Sequence, residues 1–525
     1  MNGTISVNEM IAQLPRNFVF AGGDSSTTSC KMVGLRPRGI EWIAAQPAPH
    51  VMLTPPGSLY SEQPPAQYTP AALKTLSSLT ELLGGDDLVA GLGWSVQQHV
   101  LVARSSSGYL TTALMWNDGR AGAIAESTAA LFGWPVPAGL AGPKLCWLAL
   151  NVPGLFQDAS AFDVAATLLV EELTGKWHLH VTEAGAQGWG YDPETRTVDA
   201  LHLRAIHPGL AARIAPVIAE GEFAGPLLAR HSDPIGKALR GTLVAPGMSD
   251  NATALIAATA ANRRRTAVSA GTSWTVFKAA MQRVIDPQGA ILPFIAPDNT
   301  PMPLACQSNG GGVLDGVVDE ALRAAGTLPE DEGRRRHLRG QTFAELEREM
   351  LCAIPPGGGS AACLPFIGPE RLPAISKPGG LVFEGLTAEQ QASPVWRLYS
   401  AMLGLTLNLA TGLQRMEDLG FGGEELVVAG GTAKSGVWRQ MLADVTGKPV
   451  RQNTTSPELL APRGAAVYAL WCWLRKEGHA DLALSELAEH FIEQGDVTLP
   501  NPDNAGAYRD AMRRFRELRQ RVYGV

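Results

Sequence analysis

Short apolar runs that stop at glycine, serine or threonine set the rhythm of the first half of the chain. FVFAGG (18–23) has the length and the glycine ending of a buried strand. LVAGLGWSV (88–96) repeats that pattern, and YLTTALMW (109–116) is rich in β-favouring residues. Strand and helix patterns alternate from Gly22 to about Asn262, which predicts an α/β class. Residues 1–17 carry no such pattern and are expected to form a loosely tied N-terminal extension. The basic run Asn262-Arg263-Arg264-Arg265 precedes another strand, TAVSAG, and divides the chain into 18–262 and 263–525. The run itself is expected to be a solvated loop.

Longer helices mark the second half. One starts at Pro394 after Ser393, an N-cap followed by proline at the first helical position. Leu398, Met402, Leu405, Leu409 and Met416 recur at helical spacing, and Gly420 stands at the C-terminal end. That stripe is core. IPPGGGSAAC (354–363) is expected to be a flexible loop.

A weak internal repeat links the halves. Gly23-Asp24-Ser25-Ser26-Thr27-Thr28 and Ser269-Ala270-Gly271-Thr272-Ser273 each follow an apolar strand and precede a second strand-like run. Turns rich in Gly, Ser and Thr expose the N–H groups and hydroxyls that a polyphosphate needs, although each alone is also an ordinary hairpin turn. The segment ELVVAGGTAKSGVWRQMLADVTG (425–447) runs from a strand through Gly430-Gly431 to a helix that Ser435 can cap. Such a helix N-terminus suits a phosphate, and it equally suits a tight strand-to-helix turn. Neither a Walker A motif nor the protein-kinase motifs occur.

Composition narrows the class. The chain has 525 residues, 45% of them hydrophobic and 18% charged, enough to bury large cores. A net charge of −7 argues against a nucleic-acid partner. Six cysteines without metal-ligand spacing, no signal-like N-terminus and no long apolar run predict a cytoplasmic protein with no membrane partner.

Several stretches in family order make the chain resemble the FGGY family of carbohydrate kinases, most closely its xylulose kinase branch. They are GGDSSTTSCK (22–31), SVQQH (95–99), ALMWNDGR (113–120), GPKLCWL (142–148), LTGKW (173–177) and SDNATA (249–254). VSAGTS (268–273), NGGGVLD (309–315), LPFIGPERLP (364–373), AGGTAKSGVWRQMLADVTGKPV (429–450) and PRGAAVYAL (462–470) follow. The resemblance implies a two-domain actin-like ATPase fold of duplicated ribonuclease-H-like halves, with the active site in the cleft between them. It implies ATP- and Mg²⁺-dependent phosphorylation of the terminal hydroxyl of a ketose. D-xylulose is the first expectation; sedoheptulose, ribulose, or a sugar sensor with little turnover are the alternatives. The partners expected are that small-molecule ketose and, at most, a second copy of the chain.

The same resemblance assigns residues. Asp250 matches the catalytic carboxylate that takes the proton from the sugar hydroxyl; without it, an Asp before Asn reads as a turn residue. Asp24 would hold Mg²⁺ through water, since one carboxylate plus substrate oxygens suits that ion. Thr27 and Thr28 on one side, with Gly271 and Thr272 on the other, would face the terminal phosphate. Gly430 and Gly431 would lie beneath the α-phosphate and adenosine, with Asn309 and Lys434 nearby. Gln98, His99, Trp116, Asp118 and Asn251 would form the polyol pocket. Five features depart from the family pattern, one being LFGWPVPAG (131–139) where a Thr-Gly-Asn-type segment is usual before GPKLCWL. Ser26 replaces a glycine, which predicts strain if φ is positive there, and Val100 replaces another. Glu183 stands where xylulose kinases tend to show Ser-Asp, and WGY (189–191) with NGGG (309–312) is closer to sedoheptulose kinases.

Overall fold

The run at Phe18 forms a strand because its apolar residues alternate between two buried faces, and this strand organises one half of the molecule. In the computed structural model, which describes residues 5–55 and 57–525, the chain forms two units. The first takes Met1–Asn262, Ala279–Pro303 and Glu458–Ile492; the second takes Arg263–Lys278, Leu304–Pro457 and Glu493–Val525. The chain first passes from one to the other between Asn262 and Arg263.

The first unit contains α1 (Val7–Gln13), β1 (Phe18–Ser25), β2 (Ser29–Arg36), β3 (Leu88–Val96), α2 (Ala141–Asn151), α3 (Val181–Ala186), β4 (Leu243–Ser249) and α4 (Asp250–Thr259). The second contains β5 (Arg265–Ala270), β6 (Trp274–Phe277), β7 (Pro301–Gln307), α5 (Gly311–Ala324), α6 (Glu332–Ala353), α7 (Pro394–Asp418), β8 (Glu425–Ala429), α8 (Gly436–Thr446) and β9 (Val450–Asn453). Helix α9 (Pro457–Lys476) belongs to the first unit from Glu458 onward.

Each unit builds its sheet in the same way. In the first, β1 runs antiparallel to β2 and parallel to β3, and β3 runs parallel to β4. A short strand, Glu41–Ala44, adds antiparallel to β2. In the second, β5 runs antiparallel to β6 and parallel to β8, β8 runs parallel to β9, and β7 adds antiparallel to β6. The repeat seen in two short turns is therefore a repeat of topology.

Several local expectations change. From Ser6 the segment before Phe18 is docked and not loosely tied, while residues 1–4 of the expected extension lie outside the described residues. Ser6 and Glu9 form a capping box that starts α1, and Val7, Met10, Ile11 and Leu14 are buried in a core shared with α9. The basic run is only in part a solvated loop: Arg265 opens β5 and pairs with Glu425, and Arg264 pairs with Glu424. Two of the three glycines of 354–363 are packed, and the third, Gly359, is exposed. Gly357 and Gly358 are buried at φ 72°, and Arg514 donates to the Gly357 carbonyl at 3.0 Å. In 109–116 only Tyr109 and Ala113–Leu114 are strand. The α7 stripe is core as expected, and Gly420 takes φ 85°, but the Ser393 side chain makes no cap bond. Among the described residues, no helix is long and apolar enough to cross a membrane.

Helix α9 lies directly on the sheet because glycines remove the side chains between them. A Cβ on Gly22 would stand 1.9 Å from the Pro462 carbonyl oxygen, and one on Gly93 2.1 Å from that of Ala465. A Cβ on Gly464 would stand 1.9 Å from the Thr253 oxygen of α4. Backbone on backbone cannot yield as a side chain can. Gly93→Ala and Gly464→Ala should each cost roughly 2–4 kcal/mol in urea unfolding. Gly85→Ala, which meets open space, should change stability by less than about 0.5 kcal/mol.

Candidate active site

Parallel strands end on the same side of a sheet, so their C-terminal residues gather there, the usual place for a ligand in an α/β sheet. The register of the first unit sets Asp24 of β1 beside Ser95 of β3, and Ser249 of β4 beside Val96. Asp24 is buried; Ser95 Oγ donates to its Oδ1 at 2.8 Å, and Lys31 Nζ lies 4.0 Å from Oδ2. Burial pushes the Asp24 carboxyl up, and Lys31 and Ser95 oppose that rise.

Asp250 follows β4 as the first residue of α4, where the helix dipole favours a negative charge. Its Oδ1 accepts from the Asn251 backbone N–H at 2.8 Å and from Asn251 Nδ2 at 3.2 Å. Burial, with the Asp24 charge adding to it, raises the Asp250 carboxyl to about 7. A carboxylate at that value is a competent base near neutral pH. Asn251 Nδ2 also donates to Gln98 Oε1 at 3.0 Å, which joins the end of β3 to the start of α4.

The turn between β1 and β2 brings the next group. Thr27 Oγ1 donates to Gln97 Oε1 and accepts from Trp116 Nε1, each at 3.1 Å. Trp116 is 47% exposed and Thr28 is exposed, so both present surface to a ligand. Ser26 is not strained, because its φ is not positive. Its hydroxyl donates to the Ser29 carbonyl at 2.8 Å and closes the turn, work that a glycine leaves to the backbone alone. The left-handed backbone falls instead on His99, at φ 64°.

Lys144, on α2, explains how that conformation is held. Its side chain is fully buried, and Nζ donates to the carbonyls of His99 (2.7 Å), Met115 (2.6 Å) and Leu114 (3.2 Å). One ammonium thus ties the His99 turn to the Trp116 segment, and burial pulls it down to about 7. Asp118 is engaged otherwise. Its oxygens accept from Ser61 N–H (2.9 Å) and from Arg120 through the backbone N–H (3.0 Å), Nε (2.7 Å) and Nη2 (2.9 Å). Burial alone would raise this carboxyl, but Arg120 and the backbone donors hold it below its usual range. The structure therefore brings together Asp24, Thr27, Gln98, His99, Trp116, Asp250 and Asn251, and places Asp118 behind them as the anchor of the Trp116 segment.

The sequence reading missed Ser95, Lys144 and Gln187 and gave Glu183 no role. Glu183 and Gln187 are fully buried around α3, and Gln187 Nε2 donates to Glu183 Oε2 at 2.6 Å. A lone lysine inside GPKLCWL and a lone acid inside TEAGAQGWG were the available signals.

The second unit repeats the turn without a carboxylate. Gly311 N–H donates to the Gly271 carbonyl at 2.9 Å, and Gly312 N–H to that of Thr272 at 3.0 Å, which docks α5 on the turn after β5. Gly430 has φ 115°, and a Cβ there would stand 2.4 Å from the Ala270 oxygen, so only glycine fits. A Cβ on Gly431 would meet nothing within 4 Å, and Lys434 is exposed, leaving an open shelf. The helix N-terminus beyond is already occupied. Glu347 of α6 accepts from Ser435 Oγ (2.7 Å) and Val437 N–H (2.9 Å), so the expected phosphate place at α8 reduces to the glycine shelf. Asn309 is buried with its amide on Gly368 and Glu370, which holds the loop after β7. Among the described residues no group of three or more His, Cys, Asp or Glu could hold a metal. Asp24 fits a cation that takes its remaining ligands from water and phosphate.

The N-terminal domain of the FGGY family of carbohydrate kinases matches residues 19–257, and its C-terminal domain matches residues 266–473. The chain belongs to the FGGY family of carbohydrate kinases. Similar to this kinase is the xylulose kinase of Escherichia coli (strain K12), 25% identical over 96% of this chain and 99% of that protein. Ligand-bound xylulose kinase from Lactobacillus acidophilus superposes with a TM-score of 0.82 at 22% identity, covering 97% of this chain and 99% of that one. Gluconate kinase from Lactobacillus acidophilus gives a TM-score of 0.82 at 21% identity, with the same coverage. The kinase thus has the two-domain actin-like fold expected from its sequence, and its duplicated sheets are the two ribonuclease-H-like halves.

Two outcomes follow from the buried charges. The raised Asp250 carboxyl binds a proton in the native state that the unfolded chain releases near its ordinary 3.8. Stability linked to it is complete below that value and is lost as pH rises through about 7. Asp250→Asn should therefore melt above the wild type at pH 8, with the gap closing by pH 4 in a calorimetric series. Lys144→Met should lower urea stability by about 2–4 kcal/mol, because it strands buried carbonyls.

Proposed function

We propose that this kinase transfers the γ-phosphate of ATP to the terminal hydroxyl of a ketose, with D-xylulose giving D-xylulose 5-phosphate. The observation that carries the reading is Asp250, a partly buried carboxyl raised to about 7 and set between Asn251 and the β3 end that carries Gln98 and His99. It would take the hydroxyl proton as the oxygen attacks, which requires the carboxylate form. Gln98, His99 and Asn251 would bond the sugar hydroxyls, and the half-exposed Trp116 indole would cover the carbon chain. Thr27 and Thr28, with Gly271 and Thr272, are the proposed contacts of the terminal phosphate. Gly430, Gly431 and Lys434 are those of the rest of the nucleotide, with Asn309 as support. Asp24 would hold Mg²⁺ through water. When bound, that ion supplies positive charge to the phosphate oxygens. The relatives' names support xylulose, as does an uncharged residue followed by histidine at 98–99.

An ADP-release assay with Mg-ATP against D-xylulose, D-ribulose, L-ribulose, sedoheptulose and glycerol tests this reading. Highest kcat/KM is expected with D-xylulose; a clear preference for another sugar corrects the substrate, and no turnover with any would refute the reading. Asp250→Asn should lower kcat about 10²–10⁴-fold. In the wild type, kcat/KM should rise about tenfold per pH unit below about 7 and level off above it.

A further inference from the structure

A file of buried polar groups runs through the first unit and ends beside Asp250. His180 is 1% exposed, and Thr182, Ser249, Tyr468 and Cys472 are fully buried. The Gly221 N–H donates to the Tyr468 hydroxyl at 2.9 Å, and His180 Nε2 lies 2.9 Å from the same oxygen. On the other side of the ring, Nδ1 accepts from the Thr182 N–H at 3.3 Å and lies 2.9 Å from Thr182 Oγ1. Thr182 Oγ1 in turn accepts from the Ser249 N–H at 3.1 Å. Ser249 ends β4, and Asp250 follows it. None of these groups takes part in phosphoryl transfer itself.

The obligatory donors set the direction of every bond. A peptide N–H can only donate, so the Thr182 N–H makes Nδ1 an acceptor. Burial pulls the ring down to about 3, which keeps it neutral. A neutral imidazole with an accepting Nδ1 carries its proton on Nε2 and donates it to Tyr468. The Thr182 hydroxyl then donates to Nδ1 and accepts from Ser249. The Tyr468 hydroxyl passes its own proton to Cys472, one turn on along α9. The opposite order would set a protonated Nδ1 against the Thr182 N–H and strand both. Because the chain ends on a peptide N–H, it cannot deliver a proton to Asp250. It can only hold a position.

That position needs holding. Among the described residues the short strand Gly225–Pro226 pairs with β4 only at Val244 and Leu243, and at the far end of β4 a threonine hydroxyl receives the Ser249 N–H. Ser249 is the N-cap of α4, yet its side chain makes no cap bond and its buried hydroxyl has no partner. The start of α4 therefore leans on Thr182 and not on its own cap. We propose that Thr182, held by His180 and Tyr468, is a positioning residue that sets the Asp250 carboxylate in line to take the sugar proton. A shift of about 1 Å in such a group costs on the order of 10²-fold in rate. The proposal rests on Asp250 as the base.

A double-mutant cycle between Thr182→Val and Asp250→Asn tests it in the full-length kinase. The readout is the single-turnover rate of ADP formation with the ketose of highest kcat/KM. Thr182→Val keeps the shape and removes the hydroxyl, and should slow the step about 10- to 100-fold while the KM for ATP stays within about threefold. Thr182→Ser keeps the hydroxyl and should stay within about threefold of the wild type. In the Asp250→Asn background no base is left to position, so Thr182→Val should cost less than about threefold more. An undiminished loss in that background, or Thr182→Ser as slow as Thr182→Val, overturns the proposal and leaves the base reading intact. So does a wild-type rate in Thr182→Val. Asp250→Asn as fast as the wild type refutes the base reading, and the proposal with it. Should Thr182→Val not fold, Tyr468→Phe takes its place in the cycle. A loss of about 3- to 10-fold that vanishes beside Asp250→Asn is then expected, and an unchanged rate overturns the proposal.

Discussion

The structure of the first unit depends on keeping carboxyls in a place where charge is poorly tolerated. Parallel pairing of β1, β3 and β4 brings the ends of three strands to one edge, and the register puts Asp24 and Asp250 within electrostatic reach of each other. Among the described residues neither has a close ion pair: Lys31 stands 4.0 Å from Asp24, and Asp250 is met by the backbone and side-chain amides of Asn251. The consequence is a carboxyl whose ionisation sits near neutral pH rather than near 4. That is a cost to stability and a condition for base chemistry at once. Gly22 and Gly93 beneath α9, and Gly464 of α9 against α4, keep these elements in backbone-to-backbone contact.

Duplication of the fold is not duplication of the chemistry. Both units place a Ser- and Thr-containing turn after the first strand of an identically paired sheet. The first turn begins with Asp24; the second has Ala270 and Gly271 and no acid. The second unit uses its shared topology for close backbone approach instead. Gly430 lies against the Ala270 carbonyl, and α5 is docked on the turn through Gly311 and Gly312. One unit thus concentrates ionisable groups and the other backbone amides, a division suited to a reaction that needs one base and much phosphate binding.

Much of this was legible in the sequence. Strand runs ending in glycine, the α7 stripe, the Ser435 cap and the paired turns are local patterns, and local patterns survive folding. The capping box at Ser6 and Glu9 was also legible, and it turns a segment that looked unstructured into a docked helix. What could not be read were side chains whose meaning lies across the chain. Ser95 matters because register sets it beside Asp24, 71 residues away. Lys144 matters because three distant carbonyls converge on it, and no periodicity signals that. Glu347 accepts from Ser435 at the α8 N-terminus from 88 residues upstream, a contact that no local pattern signals. Conversely, Ser26 looked like strain only because a glycine was expected there; a serine that bonds its own turn needs no left-handed backbone.

Sugar choice belongs to this second, non-local kind of information. Gluconate kinase and xylulose kinase share the fold equally well with this chain, so architecture alone does not select a substrate. Selection must come from the polarity of a few hydrogen-bonding atoms around the polyol. At the end of β3 the polar groups are held by distant partners: Asn251 takes the carbonyl end of Gln98, Lys144 fixes the backbone of His99, and Gln187 faces its ring. Glu183, which departs from the family pattern, reaches this region through Gln187, whose other end faces the His99 ring, and its carboxyl also feels the charge of Asp250.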